Sequence, residues 1–484
     1  MMKILAVINN IGFNQQLIHQ SFNKGDSSFD RVLSYIKDLE QVTGVETLEE
    51  NIKTFDELLR KLMEISQGYD AILYCFSDSP FYDSNLTKEM LDNHFKYFAE
   101  YSFADGYPIG LSPEIISVSI LPQLEKLAKK ERSIERNSFF ETLMIDINSF
   151  DIETKISGID YRYLRLNLTC NNLQNFTVAE RLAAATNEDH EKIINHLEEY
   201  QYLLRGLPSH YVFQIYQGNN QDPEYDIYYK KFPDHLKSQK HIAIDQWQTI
   251  LEGIVGLTPK AVITLGLWGE PALHPHIYDI IRMTLGFPTI ELVIETNGTS
   301  WDIDLLNELY KGGSIPRLKW ILYLDSDVPS LYEKIRGCKL DAAIQFCDYM
   351  LTHNPNEFYI QVTRLQEYEE HLEPFFRRWR EKTENIIIQK YNHYSHRLKE
   401  RKVTDLSPLI RRVCWHVKRE LYFMVDGSGL PCKDSFEGDF VLGNIFNDNL
   451  TNIWNKGDEY YQLQVNKKYP SLCKECDEYY TFNF

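Results

Sequence analysis

Apolar and polar positions follow two rhythms over the first 125 residues. The runs "KILAVIN" (residues 3–9) and "DAILYCF" (70–76) are short and almost continuously apolar, as buried strands are. Between and around them, "FDRVLSYIKDLEQV" (29–42) and "FDELLRKLMEIS" (55–66) repeat apolar residues every three or four positions, one face of a helix. This alternation predicts an open α/β sheet. A charged stretch, "KLAKKERSIERNS", then leads into "FFETLMIDINSFDIETKIS", which reads as a connector with some structure.

A second αβ alternation starts at residue 161. Its predicted strands are "YRYLRLNL", "KAVITLGL", "IELVIET", "LKWILYLD", "EFYIQVT" and "NIIIQKY". Six strands in βα order predict a parallel sheet curled into a partial barrel, with its active face at the strand C-termini. Residues 216–241, "YQGNNQDPEYDIYYKKFPDHLKSQKH", lack periodicity and read as an inserted loop or lid. From about residue 405 the pattern changes to short strands, Gly turns and cysteines. The expected division is therefore 1–130, a connector at 131–160, a partial (β/α)6 barrel at 161–404 and a small Cys-rich domain at 405–484.

Charge narrows the partners. The formal net charge is −19, which disfavours nucleic acid and anionic membranes as partners over most of the surface. The start "MMKILAVINNIGF" is too short an apolar run for a signal peptide, and no stretch reaches the roughly 18 apolar residues that span a bilayer. The expected location is the cytoplasm, where clustered cysteines bind metal more often than they form disulfides. Four of the eight cysteines, Cys414, Cys432, Cys473 and Cys476, fall in the last 71 residues.

Between Cys414 and Cys432, "ELYFMVDGSGLP" predicts a strand and a Gly turn that reverse the chain and bring two thiolates together. Cys473 and Cys476 form a CxxC pair, so the set can hold zinc or an iron–sulfur cluster. Two tight CxxC knuckles would mark a zinc ribbon, and only one is present. The order Cys414, Gly427, Cys432, Asp434, "LGNI", "NIWN" with Trp454, and the final CxxC resembles the SPASM or twitch cluster domain of radical SAM enzymes. That resemblance implies one auxiliary [4Fe-4S] cluster on Cys414, Cys432, Cys473 and Cys476.

Upstream motifs resemble the radical SAM barrel. "LGLWGEPALHPHI" carries Gly269, Glu270 and Pro271 where that family has its GGEP turn, with Trp268 in place of the first Gly; "ETNGT" with Asn297 and "LYLDSD…YEKIRG" follow in the family's order. The resemblance implies that Gly269, Glu270, Pro271 and Asn297 contact S-adenosylmethionine. His274 and His276 read as the entry to the next helix. The family's CxxxCxxC is missing: after "YRYLRLNLT" the loop "CNNLQNFTV" offers Cys170, Gln174 and Thr177 in one register and Asn171, Asn175 and Val178 in the other. Amides are poor substitutes for thiolates on iron, so the expectation is loss of radical cleavage. Cys338 and Cys347 read as structural.

The N-terminal passage resembles nucleotide-sugar and cytidylyltransferase domains of the nucleotide-diphospho-sugar-transferase type. Asp78 and Pro80 match a "DxP" turn whose Asp holds Mg²⁺, and Tyr107, Pro108, Gly110 and Glu114 match a later "YPxG…E". The basic Gly-rich triphosphate loop is replaced by "INNIGFNQQ". The whole arrangement resembles spirochaete SPASM fusion proteins. Three functions follow as expectations: an iron–sulfur protein that binds a small molecule or peptide rather than cleaving S-adenosylmethionine, an active nucleotidyltransferase with a regulatory C-terminal half, and an interaction scaffold with structural zinc.

Overall fold

The first apolar run forms β1 (Ile4–Asn9) and the second forms β3 (Ala71–Phe76), both buried throughout, with β2 (Val42–Leu48) on the other flank of β1. These strands are parallel because the helices Ser28–Lys37 and Phe55–Ile65 return the chain after β1 and β2. Each helix opens on a capping box, Ser27 with Asp30 and Thr54 with Glu57, which satisfies the first unpaired amides. β4 (Tyr101–Asp105), β5 (Glu114–Ser117) and β6 (Ile152–Ile156) complete a mixed sheet in the order β2-β1-β3-β5-β4-β6.

The structure is a computed structural model that describes residues 2–22, 25–49, 51–186, 193, 197–404 and 406–481. The chain divides into two units, Met1–Gly206 and Leu207–Phe484. Two expectations are corrected here. The connector at 131–160 is part of the first sheet, since β6 pairs in parallel with β4. "YRYLRLNL" is not the first strand of the second sheet: Tyr161–Leu164 is a 3-10 turn in the first unit, and Asn167 makes an isolated bridge to Ile109. Its alternating Leu164, Leu166 and Leu168 pack with Phe22, Phe81 and Phe176, so the alternation is satisfied by a core without a strand partner.

The second sheet begins instead at β7 (His210–Phe213) and continues through β8 (Ala261–Leu265), β9 (Ile290–Thr296), β10 (Leu318–Tyr323), β11 (Phe358–Arg364) and β12 (Ile386–Lys390), each parallel to the one before. β13 (Glu420–Phe423) adds in parallel beside β7, and β14 (Ser428–Leu430) and β15 (Gly443–Asn444) extend that edge antiparallel. The cysteine-rich tail therefore continues this sheet. In a flat sheet β12 and β13 would stand about 29 Å apart, six strand spacings. Gln389 of β12 and Tyr422 of β13 nevertheless line one cavity, so the sheet is curled. Trp247, Trp320 and Trp454 are buried in the core on its outer side. Among the described residues no helix is long and apolar enough to cross a membrane.

Candidate functional site

Four sulfurs converge near the end of the chain. Cys414 precedes the helix Trp415–Arg419, Cys432 follows β14, Cys473 lies in the short helix Ser471–Lys474, and Cys476 comes just after it. All four line one small cavity with Tyr460 and Gln464 from the helix Leu450–Val465. The predicted hairpin brings Cys432 back towards Cys414. Its turn requires Gly427, at φ +84°, where a Cβ would lie 2.5 Å from the Phe446 ring.

Polar groups already stand beside the sulfurs. Tyr460 Oη stands 2.9 Å from Cys473 Sγ, the Glu478 backbone N–H donates to Cys476 Sγ at 3.4 Å, and Ser435 Oγ is 3.5 Å from Cys432 Sγ. Burial pushes every thiol up, Cys414 to about 12, and neighbouring sulfurs add to it at Cys414, Cys432 and Cys476. Such thiols become thiolates only beside a positive centre, so the donor set fits a metal cluster.

Spacing separates the two metal chemistries. A tetrahedral zinc with Zn–S of about 2.3 Å holds its sulfurs about 3.8 Å apart. Among the described residues, no three of these sulfurs lie within 4.8 Å of one another; the trio that does is His393, His396 and Glu400. That trio is a poor metal site. His393 Nδ1 accepts the His396 backbone N–H at 2.8 Å, so Nε2, facing Glu400 and Asp477, keeps the ring proton.

The turn after β8 holds Gly269, Glu270 and Pro271, and the end of β9 brings Asn297 to it, as the sequence motifs imply. Their polar atoms are engaged internally. Glu270 Oε1 accepts from Thr296 Oγ1 at 2.6 Å and Ala272 N at 3.1 Å, and Oε2 accepts from Asn297 N at 2.8 Å. The Glu270 amide donates to Gly218 O, and a Cβ on Gly269 would lie 1.6 Å from Tyr216 O, so the turn is packed against the loop after β7. Asn297 Nδ2 donates to Asn219 and Asn220 in that same loop. His274 is buried with Nε2 on Ile242 O, and His276 caps the helix Ile277–Leu285, as read from sequence.

Residues 216–241 thus pack as a wall of the site, with Asn219, Pro223, Tyr225 and Asp226 lining the cavity. The stretch lacks periodicity because it packs through aromatic side chains. Tyr228, in the helix Ile227–Lys231, stacks on Trp268 with centroids 5.5 Å apart, and Phe436 packs against both. Tyr229 Oη donates to Gln217 O and Trp268 O. This loop, following the first parallel strand, is where the resembled family has its three thiolates. Here Asn219, Pro223 and Asp226 stand at that spacing, and residues 214–226 contain no cysteine. Cys170, the one sulfur in the loop that the sequence reading placed at this position, is buried in the first unit, and its backbone N–H donates to Asp78 O. The residues present do not fit a site-differentiated cluster, nor S-adenosylmethionine held through one.

The curled sheet frames a cavity of about 230 Å³ lined by polar residues of successive strands, among them His210, Thr264, Glu295, Tyr323, Gln361 and Glu420. Sequence reasoning missed these residues because each is an isolated polar position within an apolar strand. Burial disfavours charge on Glu420, but His416 at 2.7 Å and His210 at 3.6 Å hold its carboxyl well below the usual range. Burial raises Asp226 to about 6 and also raises Glu295. His416, Lys433 and Glu478 line both this cavity and the cysteine cavity, so one wall separates them.

In the first unit, Asp78 follows β3 and is fully buried. Its Oδ1 pairs with Arg136 and accepts from Ser79 Oγ, while Oδ2 has no partner. A guanidinium already occupies the carboxylate expected to hold Mg²⁺, so a cation there would face a like charge. Glu114, on β5, is raised to about 7 by burial, against the pull of Tyr101 and Arg136.

Residues 414–477 match the SPASM family, an iron–sulfur cluster-binding domain. An uncharacterised protein of Treponema pallidum (strain Nichols) is 31% identical over 358 residues, covering 71% of this chain and 98% of its own length. Two solved structures are similar at low identity. The protein anSMEcpe, with bound AdoMet and Cp18Cys peptide, is 14% identical over 56% of this chain and 90% of its own, with a TM-score of 0.44. A cytidylyltransferase from Leptospira borgpetersenii is 13% identical over 42% and 97%, with a TM-score of 0.36.

Proposed function

Because the chain belongs to one family with the Treponema pallidum protein it matches along nearly that protein's whole length, and ends in an iron–sulfur cluster-binding domain, we propose that it is a non-cleaving iron–sulfur protein. It carries one [4Fe-4S] cluster on Cys414, Cys432, Cys473 and Cys476 and binds a small polar molecule in the adjoining cavity. The cluster supplies electron transfer when bound. The protein's own groups do the rest: Tyr460, Ser435 and the Glu478 amide steady the sulfurs, and His416, Lys433 and Glu478 form the wall between cluster and ligand.

The observation that carries this reading is the unequal supply of sulfur: four thiols line the tail cavity and none stands in the loop after β7. The engaged oxygens of Glu270 support the loss of S-adenosylmethionine cleavage. The Arg136–Asp78 pair supports reading the first unit as a degenerate nucleotide-sugar-binding domain.

Anaerobically reconstituted protein, incubated with S-adenosylmethionine and dithionite, tests the proposal. It should release no 5′-deoxyadenosine while keeping a brown chromophore that Cys432→Ser abolishes. Release of 5′-deoxyadenosine would overturn the non-cleaving assignment. A colourless protein containing zinc would favour the scaffold instead.

A further inference from the structure

We propose that the cavity of the curled sheet binds its ligand through a primary ammonium group, with the carboxylates of Asp226 and Glu295 as counter-ions. The inference rests on the reading of this cavity as a ligand site and names the chemistry it selects.

Pairing the charges on the cavity wall leaves a remainder. Arg336 pairs with Asp325 at 3.1 Å, Lys390 with Asp477 at 2.9 Å and with Glu478, and Lys433 with Glu478 at 3.4 Å. His416 and His210 share Glu420. Glu270 is held by two backbone amides and a hydroxyl. Every cationic side chain on the wall thus already faces a carboxylate. Asp226 and Glu295 also line the cavity and have no cationic partner within ion-pair distance among the described residues.

Each of the two keeps an oxygen to offer. Asp226 Oδ1 caps the helix Ile227–Lys231 through the amides of Tyr228 and Tyr229, which leaves Oδ2 without a hydrogen bond. Glu295 Oε2 accepts from Tyr323 Oη at 2.6 Å, which leaves Oε1. Two unneutralised carboxylates on a walled cavity are costly unless they are protonated or meet a positive charge. Burial raises both, the change that an arriving ammonium would reverse.

The remaining wall suits an organic cation better than a bare metal ion. Tyr225, Tyr323, Tyr394 and Trp268 also line the cavity, an aromatic surface for the carbon body of such a cation. Gln361, also on the wall, brings an amide for an oxygen on the ligand's body.

Calorimetry on the full-length, cluster-loaded protein tests this with matched pairs that differ only in charge: glucosamine with N-acetylglucosamine, and cadaverine with N-acetylcadaverine. At least one amine should bind ten-fold or more tightly than its acetylated form. Glu295→Gln and Asp226→Asn should each weaken that binding by about ten-fold, about 1.4 kcal/mol. Both changes are isosteric, and Asn serves as a helix cap as Asp does, so iron and sulfide content should not change. Binding of both amines assigns recognition to charge alone, and binding of glucosamine only adds the hydroxyls; either supports the proposal. Equal affinity within both pairs, or amine binding untouched by both substitutions, overturns it. If that happens while the cluster persists and no 5′-deoxyadenosine forms, the ammonium inference falls and the non-cleaving reading stands.

Discussion

Glu270 separates a structural tie from a cofactor ligand, and the two roles give opposite results on substitution. The carboxylate is 2% exposed and accepts from the Thr296 hydroxyl and the Asn297 amide, both buried, and from the half-buried Ala272 amide. Glu270→Ala strands two buried donors at roughly 2 kcal/mol each, a loss of about 4 kcal/mol. Glu270→Gln keeps one oxygen and turns an NH₂ towards a donor, for a loss of about 2 kcal/mol. All seven tryptophans lie beyond residue 206, so urea unfolding followed by indole fluorescence reports on the second unit alone. The expected result is a graded loss, Ala greater than Gln, with no measurable affinity for S-adenosylmethionine in any form. A Gln variant as stable as the parent, combined with parental binding of S-adenosylmethionine that the variant loses, would refute the tie.

Glu114 gives a pH test in the first unit. Burial raises its carboxyl from 4.5 to about 7, so the folded state holds a proton that the unfolded chain has released, and stability falls as pH rises between those values by about 3 kcal/mol. Glu114→Gln should flatten that fall, read by hydrogen exchange of β5 amides between pH 4.5 and 8; an unchanged slope would assign it elsewhere. Tyr460→Phe removes the hydroxyl 2.9 Å from Cys473 Sγ and should lower the cluster potential on the order of tens of mV; an unmoved potential in a redox titration would show that this contact does not reach the cluster. Trp454→Ala, in the buried core of the second sheet, should cost about 3–5 kcal/mol, checked by the same urea titration.

Local pattern revealed most of the second sheet and misplaced its start. β8 to β12 are long apolar runs between helices, legible by period and composition, and the hairpin at Gly427 follows from a strand, a turn and a glycine. β7 is only four residues long and runs into a polar loop, whereas "YRYLRLNL" has a stronger alternation and spends it on the core of the first unit. β6 was hidden because it is only partly buried on either face. The cysteine set was legible because soft donors are rare and clustered. The cavity's free carboxylates were not: Asp226 and Glu295 stand out only once the partners of every other charge are known, and those partners lie as far apart in sequence as Lys390 and Glu478.

The central claim is that sulfur gathers at the tail and not at the mouth of the curled sheet, and metal analysis of the purified full-length chain addresses it most directly. Anaerobic protein should contain about four iron and four acid-labile sulfide per chain and no stoichiometric zinc, with all of the iron lost on replacing Cys432 and Cys476 by Ser. About eight iron per chain, half of it surviving that double substitution, or one zinc with no sulfide, would contradict the account.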